Sequence, residues 1–273
     1  MLTRCYSIFY KKSSILTTLA ISAILLVSCN LPSAIPATTT PSPTATSLPS
    51  TDTPTAVPPS PTPNPSATTT LPSTNIVFGP GATAAVEQGT LQPGQVQNFT
   101  LSAGKNQPMI LLVSSPSNDV TLAVYEANGN MLLDPAKKWS EWQWLLPATQ
   151  VYTIKVIGGA TAGSFTLTAK VAARITFTSG ASSATVSGST PKGFVISYAI
   201  SANANQTMTV TLNSPANSAS LDIFGLAFGQ LLLNPSTKAT NWTGVLPSTQ
   251  DYIIEIIPNS GQVVNYSLTV TIN

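Results

Sequence analysis

The chain contains no histidine, and charged residues make up only 7% of its 273 residues. Without histidine, the sequence lacks the usual general base, the commonest metal ligand and the side chain that titrates near neutral pH. It also lacks a Gly-rich phosphate loop, a Cys/His ligand spacing and a nucleophile elbow. The clustered Lys and Arg residues that nucleic-acid binding requires are absent as well. We therefore expect no enzymatic activity, no metal or other cofactor and no nucleic-acid partner.

The first half of the chain does contain scattered acids. Asp119, Glu126, Asp134 and Glu141 follow no pattern that would place two carboxylates in one cleft, as glycoside hydrolysis requires. We expect them to be solvated loop residues, and an enzyme is the least favoured of the functions considered.

Cysteine is nearly absent, since the chain has only Cys5 and Cys29. Residues 1–28 have the features of an export signal, namely a basic start and an apolar run from Ile15 to Val27. That run is shorter than the roughly 20 residues that span a membrane. The mature domains therefore contain no disulfide and depend on packing for their stability.

The end of this signal resembles the bacterial lipobox, with the sequence Leu26-Val27-Ser28-Cys29. The resemblance implies that lipid is attached to Cys29, that cleavage follows Ser28 and that the protein is held at the bacterial cell membrane or envelope, outside the cytoplasm. Two or three acyl chains anchor a protein stably, whereas one is marginal. An ordinary signal peptide or a single anchor helix is the alternative.

A Pro/Thr/Ser-rich segment follows the lipidation site and fills residues 29–74, with Asp52 as its only charge. Its isolated apolar residues, among them Leu71, cannot build a core. We expect a disordered tether that favours polyproline II. At about 3.1 Å per residue, such a tether reaches on the order of 130 Å, enough to hold the following domains clear of a membrane.

Two segments of about 100 residues repeat one another, which indicates two domains at 75–172 and 173–273. NQPMILLVSSPSND matches NQTMTVTLNSPANS, and LLPATQVYTIKV matches VLPSTQDYIIEI. Positions that are apolar in both copies recur with period two, as in strands with one buried face. They include Met109, Leu111 and Val113 in the first copy and Met208, Val210 and Leu212 in the second. The pattern predicts an all-β protein with two tandem antiparallel β-sandwiches, jelly-roll-like, of seven or eight strands each.

Both copies resemble the bacterial pre-peptidase C-terminal domain family. The first copy carries the motifs as Gly89-Thr90-Leu91, Asn118 to Tyr125, Asn128-Gly129, Ala148 to Val156 and Phe165 to Thr168. The resemblance implies a jelly-roll-type sandwich of the kind attached to secreted enzymes, although no enzyme domain accompanies it here. Some members bind calcium through paired acids. This chain has Asp119 followed by Thr121, and Ser218 and Ser220 in the second copy, which argues against a calcium site.

Two features distinguish the first copy from the second. Trp139 and Trp144 have no tryptophan counterparts, and on an outward face they would form a platform for sugar rings. Packing at the sandwich edge or between domains is the alternative. Ile110 and Leu112 replace outward threonines, which indicates a contact with the other domain or a partner, unless a loop covers them.

These observations favour a non-catalytic, lipid-anchored binding or adhesion module at the cell surface. Its candidate partners are a polysaccharide and an envelope protein, besides the membrane that Cys29 would enter. A structural spacer, or an accessory subunit of an exported envelope complex, is the alternative. Fold resemblance alone does not decide between them.

Overall fold

The computed structural model describes residues 70–273. The predicted signal peptide, Cys29 and the tether up to residue 69 lie outside the described residues. Within the described part, the regular structure consists of strands and three short 3₁₀ turns, and it offers no helix that could span a membrane. The predicted all-β class with two tandem sandwiches is confirmed.

Each copy forms nine strands, one or two more than the alternation predicted. The first copy contains β1 (Thr70–Asn75), β2 (Ala84–Leu91), β3 (Val96–Ala103), β4 (Pro108–Ser114), β5 (Thr121–Tyr125), β6 (Met131–Leu133), β7 (Glu141–Leu145), β8 (Gln150–Ile157) and β9 (Gly163–Val171). The second contains β10 (Ala173–Arg174), β11 (Ser183–Thr190), β12 (Ile196–Ala202), β13 (Thr207–Asn213), β14 (Ala219–Gly225), β15 (Leu231–Leu233), β16 (Asn241–Val245), β17 (Gln250–Pro258) and β18 (Val264–Ile272).

The two copies share one topology, as expected for a duplicated domain. In the first copy, a five-stranded sheet with the order β1-β3-β8-β5-β6 accompanies a four-stranded sheet with the order β2-β9-β4-β7. The second copy repeats this as β10-β12-β17-β14-β15 and β11-β18-β13-β16. Neighbouring strands are antiparallel except β1 with β3 and β10 with β12, which are parallel.

The first strand corrects the predicted end of the tether. β1 begins at Thr70, so the last five residues of the segment expected to be disordered belong to the first sandwich. Leu71 packs against the core, contrary to its assignment as an isolated apolar residue. The sequence did not reveal β1 because an edge strand pairs on one side through its backbone. It therefore needs little apolar alternation and accommodates Pro72.

The two cores consist of the positions predicted from the repeat. Met109, Leu111 and Met208 are completely buried, and Val113 is 2% exposed. Further members of both cores occupy equivalent places, including Leu122, Ile154 and Leu167 in the first copy and Leu221, Ile254 and Leu268 in the second. Burying side chains of this size stabilises a fold by roughly 1.5–3 kcal/mol each, which explains how residues 70–273, which include no cysteine, form these domains.

A glycine covered by an aromatic ring recurs in both copies and explains the matched Gly89 and Gly188. Gly89 lies directly opposite Phe165 in the register of β2 and β9. A Cβ atom at Gly89 would approach Phe165 Cε1 to 2.7 Å, and one at Gly188 would approach the Tyr266 hydroxyl to 2.9 Å. The ring therefore occupies the space that any other residue would need for its side chain.

A buried tyrosine also recurs and fixes the turn that precedes the central strand of each five-stranded sheet. The Tyr152 hydroxyl donates to the Ala148 carbonyl oxygen at 2.6 Å, and Tyr252 donates to the Ser248 carbonyl at the same distance. Both tyrosines are fully buried. Immunoglobulin-like sandwiches use a comparable tyrosine corner, so the matched A-T-Q-x-Y and S-T-Q-x-Y segments have a structural role.

Candidate functional site

The structure places the two predicted site tryptophans in different environments. Trp139 precedes β7 and packs, half-buried, against the first core. Trp144 lies on β7, an edge strand, opposite Met109, and 37% of it is exposed. Trp142, between them, is a core residue with 5% exposure. Of the two predicted rings, Trp144 is therefore the more accessible to a ligand.

A nearly linker-free junction joins the two sandwiches. β9 ends at Val171 and β10 begins at Ala173, so Ala172 alone separates them, and it is fully buried. The burial of β17 in the second copy shows what this junction covers. Its first seven residues are all buried, whereas the equivalent β8 of the first copy alternates. The outer face of the second copy's five-stranded sheet is therefore covered.

The apolar part of the junction uses one of the outward residues singled out from the sequence. Ile110 on β4 packs against a cluster of Ala172, Ala199, Leu226 and Ile253. The expected contact with the other domain is therefore confirmed for Ile110. Leu112 remains 47% exposed, so it lies outside this cluster.

Polar contacts fix the two domains along the same surface. The Lys170 ammonium donates to Glu255 Oε1 at 2.7 Å, and Gln143 Nε2 donates to the Leu226 carbonyl oxygen at 2.6 Å. The buried Ser197 N–H donates to Thr83 Oγ1 at 2.7 Å. β10 is too short to pair with Ser197. The N–H of Ser197 therefore finds its acceptor in the first domain, on Thr83, instead of in its own sheet.

Arg174 links the polypeptide at the junction to both domains. Its guanidinium makes two bonds of 2.6 Å to the Asp251 carboxylate, and its Nε donates to the Asn106 carbonyl oxygen at 2.7 Å. Bidentate pairs of this kind restrict orientation as well as adding energy. The repeat comparison did not identify these residues. The sequence does contain one indication of the junction: at two outward positions of β17, the acids Asp251 and Glu255 stand where β8 has Val151 and Lys155.

A third acid in the junction has no ion-pair partner. Asp222 on β14 is 8% exposed, and its Oδ1 has no hydrogen-bond partner. Burial raises the pKa of Asp222, and the negative charge of Glu255 raises it further, to about 7. The positive charge of Lys170 partly opposes this shift. The junction thus contains an acid that ionises near neutral pH.

Exposed apolar side chains lie beside the buried contact. Trp144 and Leu145 follow Gln143 on β7 and are 37% and 36% exposed. Phe228, two residues beyond Leu226, is 56% exposed. Because Gln143 binds the Leu226 carbonyl, the two segments that carry these residues meet at the junction, and we call the three residues the junction rim. Leu145 lies on the same face of β7 as Gln143, whereas Trp144 lies on the opposite face with Trp142, since side chains alternate along a strand. A rim of this composition suits recognition of another molecule by aromatic and apolar contact.

The second domain has a sheet face equivalent to the docked face of the first domain, but the side chains on the two faces differ. On the four-stranded sheet, Thr185 and Thr269 hydroxyls lie 2.9 Å apart, and those of Thr209 and Thr243 lie 3.1 Å apart. Thr209 and Thr243 replace Ile110 and Gln143, so this face lacks the groups that dock the first domain.

The scattered acids of the first domain do not assemble a reactive cleft. Asp119 accepts from the Ser117 hydroxyl and from the Thr161 N–H, and these bonds lower its pKa. The prediction that Glu141 is a loop residue is wrong, because Glu141 lies on β7. Partial burial there raises the pKa of its carboxyl. Among residues 70–273, no group of three or more acidic side chains could hold a metal ion.

Comparisons with known proteins return no matching family model and no matching curated protein. The resemblance to the pre-peptidase C-terminal domain family therefore stays a prediction. Among solved structures, the chain is similar to Aeromonas hydrophila PliG, a periplasmic inhibitor of g-type lysozyme, with 27% identity and a TM-score of 0.34. The match covers 37% of this chain and 96% of that protein.

Two further solved structures give similar results. Salmonella Typhimurium PliG shows 18% identity and a TM-score of 0.30, covering 36% of this chain and 96% of its own. The CUB1-EGF-CUB2 region of human MASP-1/3 shows 8% identity and a TM-score of 0.22, covering 70% and 100%. These scores are too low to transfer the activity of any of these proteins to this chain.

Proposed function

We propose that this protein is a lipid-anchored, non-catalytic binding module of the bacterial envelope, located outside the cytoplasm and held to the membrane through Cys29. The observation that carries the binding role is the junction rim, where Trp144, Leu145 and Phe228 are exposed on a molecule with few charges. Aromatic residues of this kind supply much of the affinity in protein and sugar recognition.

The docked junction favours binding because it holds both halves of the rim in place. Trp144 and Leu145 come from the first domain and Phe228 from the second. The Gln143–Leu226 hydrogen bond and the Lys170–Glu255 pair fix them relative to one another. Residues that are held in place before binding lose less entropy on association. The partner we favour is an envelope component, either a polysaccharide or a protein.

A structural spacer is the second candidate, and the short linker favours it. With only Ala172 between the sandwiches, the two domains form one docked unit that needs no ligand to stay ordered. In this role the rim residues would contribute nothing beyond local packing, which gives the two candidates different mutational outcomes.

The test uses the mature chain from residue 29 with Cys29→Ser, which removes the lipid but keeps β1 intact. It is incubated separately with isolated cell-wall polysaccharide, a glycan array and solubilised envelope proteins from the producing organism. The variant Trp144→Ala/Phe228→Ser is compared with the control Trp139→Ala, which alters a half-buried ring. Saturable binding that the rim variant loses and the control keeps supports the proposal. Absence of binding in every arm would leave the spacer role.

A further inference from the structure

Two carboxylates face each other at the docked surface of the second domain. Asp222 on β14 and Glu255 on β17 are direct partners in the strand register. They are only 8% and 5% exposed, because the first domain covers them. Like charges at directly opposite positions of a sheet destabilise it, so this arrangement requires compensation.

Direct ion-pair and hydrogen-bond contacts serve only one of the two acids, although the positive charge of Lys170 also acts on the other. Glu255 accepts from the Lys170 ammonium at 2.7 Å and from the Ser197 hydroxyl at 3.0 Å. Asp222 Oδ1 has no partner. The remaining cation at this surface, Arg174, is engaged by Asp251. Two cations therefore face three carboxyl groups, and an ionised Asp222 would be a buried charge without an ion-pair contact of its own.

We propose that docking of the two domains is linked to protonation of Asp222, so that the junction closes with this carboxyl neutral and loosens when it ionises. A neutral carboxyl is buried at modest cost, whereas an unpaired carboxylate requires water. The charged groups that act on Asp222 are Glu255 of its own sheet and Lys170 of the first domain.

The direction of the pH dependence follows from the two states. In an undocked molecule, water reaches Asp222 and its pKa returns toward the ordinary value of 3.8, whereas burial and Glu255 raise it to about 7 in the docked state. Docking then takes up one proton between these values. The docking constant falls by about tenfold per pH unit as the pH rises from about 4 to 7, and it levels off above 7.

Hydrogen exchange at Ser197 reports this equilibrium directly. Its N–H donates across the junction to Thr83 Oγ1, so its protection depends on docking. The Leu122 N–H, which donates to the Trp139 carbonyl oxygen within the first domain, is the reference. The protein is the mature chain with Cys29→Ser, and NMR measures protection factors relative to random-coil rates at each pH from 5 to 8.

We expect Ser197 protection to fall by one to two orders of magnitude between pH 5 and 7, while Leu122 protection stays constant. Asp222→Asn should abolish the pH dependence, and the control Asp119→Asn should retain it. Equal Ser197 protection at pH 5 and pH 8 in the native protein would overturn the proposal without recourse to any variant. A pH dependence that persists in Asp222→Asn would overturn it too.

Discussion

Replacing Lys170 with methionine tests how strongly the junction depends on its one ion pair between domains. Methionine matches the lysine side chain as far as Cε but removes the ammonium that lies 2.7 Å from Glu255 Oε1. The Glu255 side chain is only 6% exposed, so its carboxylate cannot reach water while the domains stay docked. Asp222, directly opposite, supplies no positive charge in its place.

The expected loss in the free energy of unfolding depends on which groups still contact Glu255 in the Lys170→Met variant. Removing one partner of a buried pair costs about 3–5 kcal/mol, because the other charge stays buried. Lys170 is 23% exposed and the Ser197 hydroxyl still donates to Glu255, so we expect the lower end, about 3 kcal/mol. Adding Glu255→Gln to Lys170→Met should restore most of this loss, since the buried charge is then gone.

Urea denaturation at pH 7 measures these differences. Tryptophan fluorescence reports mainly the first domain, which contains three of the four tryptophans, and far-UV circular dichroism reports both domains. The native chain, both single variants and the double variant form a double-mutant cycle. Two outcomes would refute a stabilising role of the ion pair. One is a change in the free energy of unfolding of less than about 0.5 kcal/mol for Lys170→Met, the range typical of surface substitutions. The other is a double variant as unstable as the two single losses added together.

Three further predictions concern the fold and its anchorage. Tyr152→Phe should lower the free energy of unfolding by about 1–3 kcal/mol, because a buried hydrogen bond to Ala148 is lost; thermal melts check this. Gly89→Ala should cost about 1–3 kcal/mol by displacing the Phe165 ring, and an unchanged urea midpoint would contradict the close approach. Cys29→Ser should move the protein from the membrane pellet to the soluble fraction, as fractionation and immunoblotting would show; a protein that stays in the pellet argues against lipidation.

The sequence predicted the core because two copies of one pattern constrain each other. Met109, Leu111 and Val113 alternate with outward residues, and their counterparts in the second copy do the same, so their burial followed from period two alone. Ile110 was predicted at a contact because it is apolar where the second copy has threonine. The structure places it in the cluster between the domains.

Other features depended on tertiary contacts that no local pattern encodes. β1 is held by backbone pairing with β3 and has little side-chain alternation. β17 was predicted to have one open face, but the first domain covers that face and buries Asp251 and Glu255. For the candidate site, Trp144 was predicted and is exposed, whereas Phe228 gave no signal because its role depends on the Gln143–Leu226 contact.

The proposed binding rim and the proposed pH dependence both require the two sandwiches to form one docked unit, and a distance measurement tests this directly. Spin labels are placed at Lys137→Cys in the first domain and Lys192→Cys in the second, both exposed positions. The mature chain with Cys29→Ser has no other cysteine, so labelling is confined to these two sites. Pulsed electron paramagnetic resonance at pH 6 should give one narrow distance distribution. A broad distribution, typical of domains that move independently, would contradict the docked junction and with it the proposed binding rim.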